Sequence, residues 1–220
     1  MIKLVLFDLD GTLLDNEIFT ITSKVIEGEK IGYKIEPEIA KKTLGLSYTN
    51  SKAFFKRIYG EDFPYDFFRQ KRFEYIIEDV KKSGLKLKTG VIELLDYLNQ
   101  NGIKKAICTS SSKKYLNEYQ KYSSFFTNFD LIITGEEITN GKPNPEIFLK
   151  AMQKLNIDSK ETLVIEDSNN GIVAGFNSKA DVIMVPDLVE PNDEVKNLNI
   201  KIFKDLHQVR QYIDTVNKEN

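Results

Sequence analysis

Apolar residues fall along this chain in two different rhythms. Residues 2–7 (IKLVLF) form a compact, largely apolar run suited to a strand buried on both faces, and the run stops at Asp8. Residues 105–108 (with Ile103 just ahead), 131–133, 163–165 and 182–185 read the same way. Between these runs the period is helical. Val91, Leu94, Leu95 and Leu98 fall at i, i+3, i+4 and i+7 ahead of Gly102, which predicts an amphipathic helix and its stop. Asn144 followed by Pro145 predicts the N-cap and first residue of another helix, carrying Ile147, Phe148, Ala151 and Leu155. Strands alternating with helices imply right-handed crossovers, so this part is expected to be an α/β doubly wound parallel sheet.

Residues 16–84 break that rhythm. They hold no convincing strand, and their helical stretches are punctuated by Gly32, Gly45, Gly60 and Pro64. The last stretch sets Phe73, Ile76, Ile77 and Val80 on one face, with Lys71, Arg72, Glu74, Glu78 and Lys81 expected elsewhere. The predicted organisation is a core made of residues 1–15 and 85–220, interrupted by an α-helical insertion at 16–84. Phe54, Phe55, Phe67, Phe68 and Phe73 are expected to pack within that insertion. The polar end, 216–220, is expected to fray.

Composition narrows the function without naming it. A chain of 220 residues, 41% hydrophobic and 29% charged, can bury a core of ordinary size. A formal net charge of −2 argues against a broad nucleic-acid surface. Cys108, the single cysteine, has no partner for an internal disulfide, which suits a reducing compartment. No stretch is apolar for long enough to cross a bilayer, and the N-terminal run carries two aspartates where a signal peptide would not. A cytoplasmic protein, a monomer or weak homo-oligomer, with no membrane or nucleic-acid partner is expected.

Chemistry enters at the strand ends, because ligands of open parallel sheets bind beyond the carboxyl ends of the strands. Asp8-Leu9-Asp10-Gly11-Thr12 lies after the first strand, Thr109-Ser110-Ser111-Ser112-Lys113 after the second, and Glu166-Asp167-Ser168-Asn169-Asn170-Gly171 after the fourth. Gly141-Lys142-Pro143 precedes a helix. Asp8, Asp10, Glu166 and Asp167 brought into one crevice would repel one another, by roughly 4 kcal/mol for a pair about 4 Å apart at an effective dielectric near 20. A divalent cation removes that cost, and Mg²⁺ suits carboxylates, water and phosphate oxygens. Lys142 can neutralise a phosphoryl group while Thr109 and backbone N–H groups bind its oxygens, with Ser110 the alternative hydroxyl. Pro143 biases Lys142 toward extended backbone, out of the helix beyond it. Each residue also has a plainer reading. An aspartate at a strand end often forms a turn, Thr109 can cap a helix, and Lys142 can be a solvated surface lysine. Cys108 reads as a buried structural thiol and His207 as a surface residue.

The constellation resembles the haloacid dehalogenase superfamily, in the phosphatase and phosphomutase branch with a helical cap inserted after the first motif. The resemblance rests on DLDGTLLD at 8–15, CTS at 108–110, GKPNPEIF at 141–148 and VIEDSNNG at 164–171, in the family's order. It implies that Asp8 attacks phosphorus and becomes an aspartyl phosphate. Asp10 would protonate the leaving oxygen and later activate water, its backbone carbonyl joining the metal shell. Asp167 with Glu166 would complete Mg²⁺ binding, and Thr109 and Lys142 would hold phosphoryl oxygens. The substrate implied is a small phosphate monoester such as a sugar or polyol phosphate, with Asn16, Gly45, Ser47 and Ser51 on the substrate side.

The cap weighs against the nearest alternative, a sugar phosphomutase of the β-phosphoglucomutase type. Thr20 stands where that enzyme has a histidine, Leu44 where it has a lysine before the cap glycine, and Tyr48 where it has an arginine. Hydrolysis is therefore the expected reaction. A catalytically silent binding module is the remaining alternative, though every position needed for phosphoryl transfer is filled. Ser178-Lys179 also departs from the family's Ala-Gly turn, so that turn is expected to take a different path or carry strain.

Overall fold

The computed structural model describes residues 1–219. The first apolar run forms β1 (Leu4–Phe7), and helices α1 (Glu17–Lys30), α2 (Pro37–Lys41), α3 (Tyr48–Tyr59) and α4 (Tyr65–Ser83) come after it without an intervening strand. The chain then alternates: α5 (Val91–Gln100), β2 (Lys104–Cys108), α6 (Lys113–Gln120), β3 (Leu131–Ile133), α7 (Glu146–Leu155), β4 (Thr162–Glu166), α8 (Asn169–Asn177), β5 (Asp181–Met184), α9 (Asp193–Asn197), β6 (Lys201–Ile202) and α10 (Leu206–Lys218). The six strands form one sheet in the order β3-β2-β1-β4-β5-β6, every neighbouring pair parallel. Successive crossovers leave β1 first in one direction and then in the other. The crevice beyond its carboxyl end is the place where such a sheet takes a ligand.

Alternate residues of β1 explain why the sheet is covered on both sides. Val5 and Phe7 join a cluster with Val91, Leu94, Leu98, Val209 and Ile213 of α5 and α10. Leu4 and Leu6 join the opposite cluster, with Ile147, Phe148 and Ala151 of α7 and Ile172 of α8. A strand buried on both faces needs no polar alternation, which is what the run IKLVLF shows.

The helical cap has a small core of its own, built from Ile35, Ala40, Phe55, Phe63, Tyr65 and Phe68. Phe55 stacks on Phe63 at 5.3 Å. Two of the expected cap aromatics do otherwise. Phe67 is exposed, and Phe73 joins the sheet-side cluster, its ring 4.3 Å from that of Tyr115 on α6. The carboxyl half of α4 therefore clamps the cap to the core.

Four local expectations are corrected. Helix α7 begins at Glu146, not Pro145; Pro145 is the N-cap, and the Asn144 side chain accepts from the Glu146 N–H at 3.0 Å. Strand β6 has no counterpart among the expected strands, because two exposed residues carry no pattern. Arg72, expected away from the face of Phe73, Ile76, Ile77 and Val80, is buried as they are. The end of the chain is helical through Lys218, with Asn217 exchanging hydrogen bonds with the Ile2 backbone at 2.6 and 3.1 Å; residue 220 of the expected frayed tail lies outside the described residues. The Ser178-Lys179 turn does take an unusual path, with Lys179 at φ +67°, a region that costs a non-glycine residue about 1 kcal/mol or more.

Candidate active site

Beyond the carboxyl ends of β1, β2 and β4 lies a chamber of about 140 Å³, floored by the core and roofed by α1, α3, α4 and the 43–46 turn of the cap. It holds Asp8, Asp10, Thr109, Lys142 and Asp167 together. A larger cleft of about 1020 Å³ continues from it between cap and core, sharing Tyr48, Arg69, Ser110, Ser112 and Tyr115 with the chamber.

Lys142 is the hub of the floor. Its ammonium, 1% exposed, donates to Asp8 Oδ1 at 2.5 Å, Glu166 Oε1 at 2.5 Å and the Cys108 carbonyl at 2.9 Å. Burial opposes its charge, but Asp8 and Glu166 outweigh that and hold the ammonium above its usual range. The surface-lysine reading of Lys142 is thereby excluded. Cys108 is buried behind it, and burial pushes the thiol up to about 12, so it stays protonated.

Glu166, expected in the metal shell, has both carboxylate oxygens engaged by the chain. It is wholly buried, with one oxygen on Lys142 and the other accepting from the Asp167 and Ser168 N–H groups at 3.1 Å and from Ser168 Oγ at 2.9 Å. Gly171 makes this possible: a Cβ there would lie 1.9 Å from the Glu166 carboxylate. Glu166 thus positions Lys142 and the loop that carries Asp167.

Asp167 accepts from Thr12 Oγ1 at 2.9 Å through Oδ1. Its Oδ2 passes so close to Gly11 that a Cβ at 11 would lie 2.5 Å away, and Gly11 also has φ +89°. Asp10 is fixed at both oxygens, by the Asn16 amide at 2.5 Å and the Ser111 hydroxyl at 2.7 Å. Asn16, expected on the substrate side, donates to Asp10 and orients it. Thr109 does not cap α6, a task that falls to Ser112; its hydroxyl lines the chamber and accepts from the Ser111 N–H at 3.0 Å.

The floor carries more negative charge than one lysine can balance. Burial, against the pull of Lys142 and reinforced by Glu166 and Asp10, raises Asp8 to about 7. Burial and then Glu166, Asp8 and Glu17 raise Asp167 well above the carboxylate range. Glu17, at the start of α1, is raised to about 8 by burial first and Asp187 next. Among the described residues no three His, Cys, Asp or Glu side chains are gathered into a ready-made metal cage. Mg²⁺ needs only one or two carboxylates beside water and substrate oxygens, so a floor of excess carboxylate, with Asp167 Oδ2 meeting no hydrogen-bond donor among the described residues, fits such an ion.

The cap residues expected near substrate separate. Gly45 and Ser51 line the chamber, as does Thr20. Ser47 lies outside it in the cleft, capping α3 by accepting from the Asn50 N–H at 3.3 Å and packed against Gly141. Three residues that sequence reasoning misses also enter the chamber: Lys24 of α1 and Arg69 and Arg72 of α4. Arg72 carries a signal, since it falls in the apolar stripe Phe68, Phe73, Ile76 where a charge needs a reason. Lys24 shares a helical face with Glu17 and Thr20, a polar stripe aimed at the site.

Comparison with known proteins identifies the family and the fold. The family model for haloacid dehalogenase-like hydrolase matches residues 5–185. The chain is 27% identical to the phosphorylated carbohydrates phosphatase of Thermotoga maritima, over 77% of this chain and 78% of that protein. It is 29% identical to hexitol phosphatase A of Escherichia coli, over 82% and 81%. The structure of β-phosphoglucomutase from Clostridium difficile superposes with a TM-score of 0.82 at 23% identity, covering 100% of this chain and 98% of that one.

Proposed function

Since the chain belongs to the haloacid dehalogenase-like hydrolases, we propose that it is a Mg²⁺-dependent phosphatase that hydrolyses a small phosphorylated sugar or polyol. The observation that carries this reading is the pairing at the end of β1. Asp8 has one oxygen on Lys142 and the other without a hydrogen-bond partner among the described residues, available for attack, while Asp10 is held two residues away by Asn16 and Ser111. The relatives named as carbohydrate and hexitol phosphatases support the substrate class.

The reaction is divided among these residues. The free Asp8 oxygen forms a bond to phosphorus as the bond to the ester oxygen breaks, and Asp10 gives that oxygen its proton. Asp10, now a carboxylate, takes a proton from water, whose oxygen attacks the aspartyl phosphate and frees Asp8 and inorganic phosphate. Lys142 and Thr109 neutralise and orient the phosphoryl oxygens throughout. Asp8, the Asp10 carbonyl and Asp167 would hold Mg²⁺, which supplies charge neutralisation for the phosphoryl group. The 16–84 insertion acts as the lid that excludes bulk water.

The test is inorganic phosphate release from sugar, polyol and nucleotide monophosphates with Mg²⁺ or EDTA, beside an Asp8→Asn control. Metal-dependent release that vanishes in the control supports the reading. Conversion of glucose 1-phosphate to glucose 6-phosphate with no release overturns it for a mutase. Silence in both assays favours the non-catalytic alternative.

A further inference from the structure

Lys24 and Arg72 are the charges that the proposed chemistry leaves unused. Their relative exposures are 2% and 8%, and both reach the chamber from the cap. Neither is within ion-pair distance of any carboxylate among the described residues. Among the described residues the Lys24 ammonium donates only to the Ala40 carbonyl, at 3.1 Å, and Arg72 Nε only to Ser23 Oγ, at 3.3 Å. Ala40 does not require the lysine, because its carbonyl also accepts from Thr43 Oγ1 at 2.7 Å. Arg69, half-buried between the Tyr48 and Tyr115 rings, adds a third cation where the chamber opens into the cleft.

Buried cations without counter-ions are expensive, and proteins keep them where a ligand supplies the missing charge. Burial, and Arg72 after it, push the Lys24 ammonium well below its usual range, against a weaker pull from Glu17, which lines the chamber beyond ion-pair distance. The phosphoryl group cannot be the anion concerned, because on the floor it already meets Lys142 and Thr109. The roof faces the other end of the substrate. Resting on the phosphatase reading above, we infer that the substrate carries a second anionic group, a carboxylate or second phosphate, that docks between Lys24 and Arg72. The small chamber fits an ester of a few carbons, and a longer one extends past Arg69 into the cleft. Two anionic ends also make recognition directional: one end meets Asp8, while the other finds guanidinium and ammonium donors.

Matched probes differing only at the far end test this. With Mg²⁺ present, 3-phosphoglycerate is compared with glycerol 3-phosphate, and ribulose 1,5-bisphosphate with ribulose 5-phosphate. Both phosphate release and the shift in thermal midpoint are measured. The expected result is at least a tenfold higher kcat/KM for one or both doubly anionic esters, carried by KM, with a larger midpoint shift. The first pair reports a carboxylate and the second a phosphate. Lys24→Met and Arg72→Met each reduce that preference at least tenfold, while Arg72→Lys retains most of it. Equal or better use of the singly anionic ester in both pairs overturns the inference, as does a preference that survives both methionine variants. The wild-type comparison stands alone if a variant does not fold. If nothing is hydrolysed but the doubly anionic ester still gives the larger midpoint shift, the anion subsite stands and the phosphatase reading falls.

Discussion

On the floor of the chamber one ammonium touches two carboxylates and a carbonyl; on its roof an ammonium and a guanidinium touch one neutral oxygen each. Both regions bury charge, but only on the floor do opposite charges from the chain itself meet, with carboxylate left over. The floor is consequently preorganised: Lys142, Glu166 and the Asp167 loop hold one another in place before substrate arrives. The roof carries a cost in the free protein that an incoming anion can relieve. That division suits a fixed reaction centre beneath a surface that selects what reaches it.

The sharpest way to break the comparison is to remove the floor's reacting group. Asp8→Asn keeps the shape and one hydrogen-bonding oxygen but lacks the nucleophile, so turnover should fall by about 10⁴-fold or more, measured as phosphate release. Asp10→Asn should fall by about 10²–10⁴-fold while still binding substrate, since it removes only proton transfer. Near-normal turnover in either variant would sink the corresponding role. Lys142→Met tests the partnership itself. It strands Asp8 and Glu166 in a buried pocket, and a loss of about 3–5 kcal/mol in chemical denaturation is expected. If stability were unchanged, the floor would not be the mutually supported unit described above.

A smaller effect tests how finely the floor is set. Ser111→Ala removes one of the two donors that hold Asp10, leaving Asn16. Turnover should drop about tenfold through kcat, with KM little changed, because the acid/base group would be less well aimed. A change confined to KM would point to substrate binding by Ser111 instead.

The same contrast explains how much can be read from the chain. Asp8, Asp10, Thr109, Lys142 and Asp167 are legible because each sits next to a strand end or helix start, and parallel topology gathers such ends at one edge. Glu166 is legible as a member of the cluster but not in its task. Its oxygens are claimed by the backbone that curls around it and by Lys142, a local geometry that depends on the missing side chain of Gly171. Lys24 and Arg72 are only faintly legible, Arg72 by its place in the stripe of Phe68, Phe73 and Ile76, because charge on a helix normally marks a solvated face. Their burial comes from how α1 and α4 lie over the sheet, a tertiary fact with no adjacent motif. The three mutase positions that hold Thr20, Leu44 and Tyr48 suggest a cap poor in cations, yet cations enter from other turns of the helices.

The mildest prediction has the opposite sign from Lys142→Met. Lys24→Met replaces a buried ammonium with an apolar chain of similar length, and the Ala40 carbonyl keeps its bond from Thr43. The ligand-free protein should gain about 1 kcal/mol in chemical denaturation near neutral pH. The pH dependence identifies the cause. In the folded protein the Lys24 ammonium titrates well below 10.5, whereas in the unfolded chain it keeps its usual range. Between those two values the unfolded state binds more protons, so this residue makes wild-type stability rise with pH across the window. Below the window the folded state must bury the charge, and there the substitution should help most. The gain should accordingly shrink as pH climbs toward 10.5. A gain that is independent of pH would trace to better packing, and a loss would mean that Lys24 is a structural tie to Ala40, leaving the arginines of α4 as the roof's charge for a ligand.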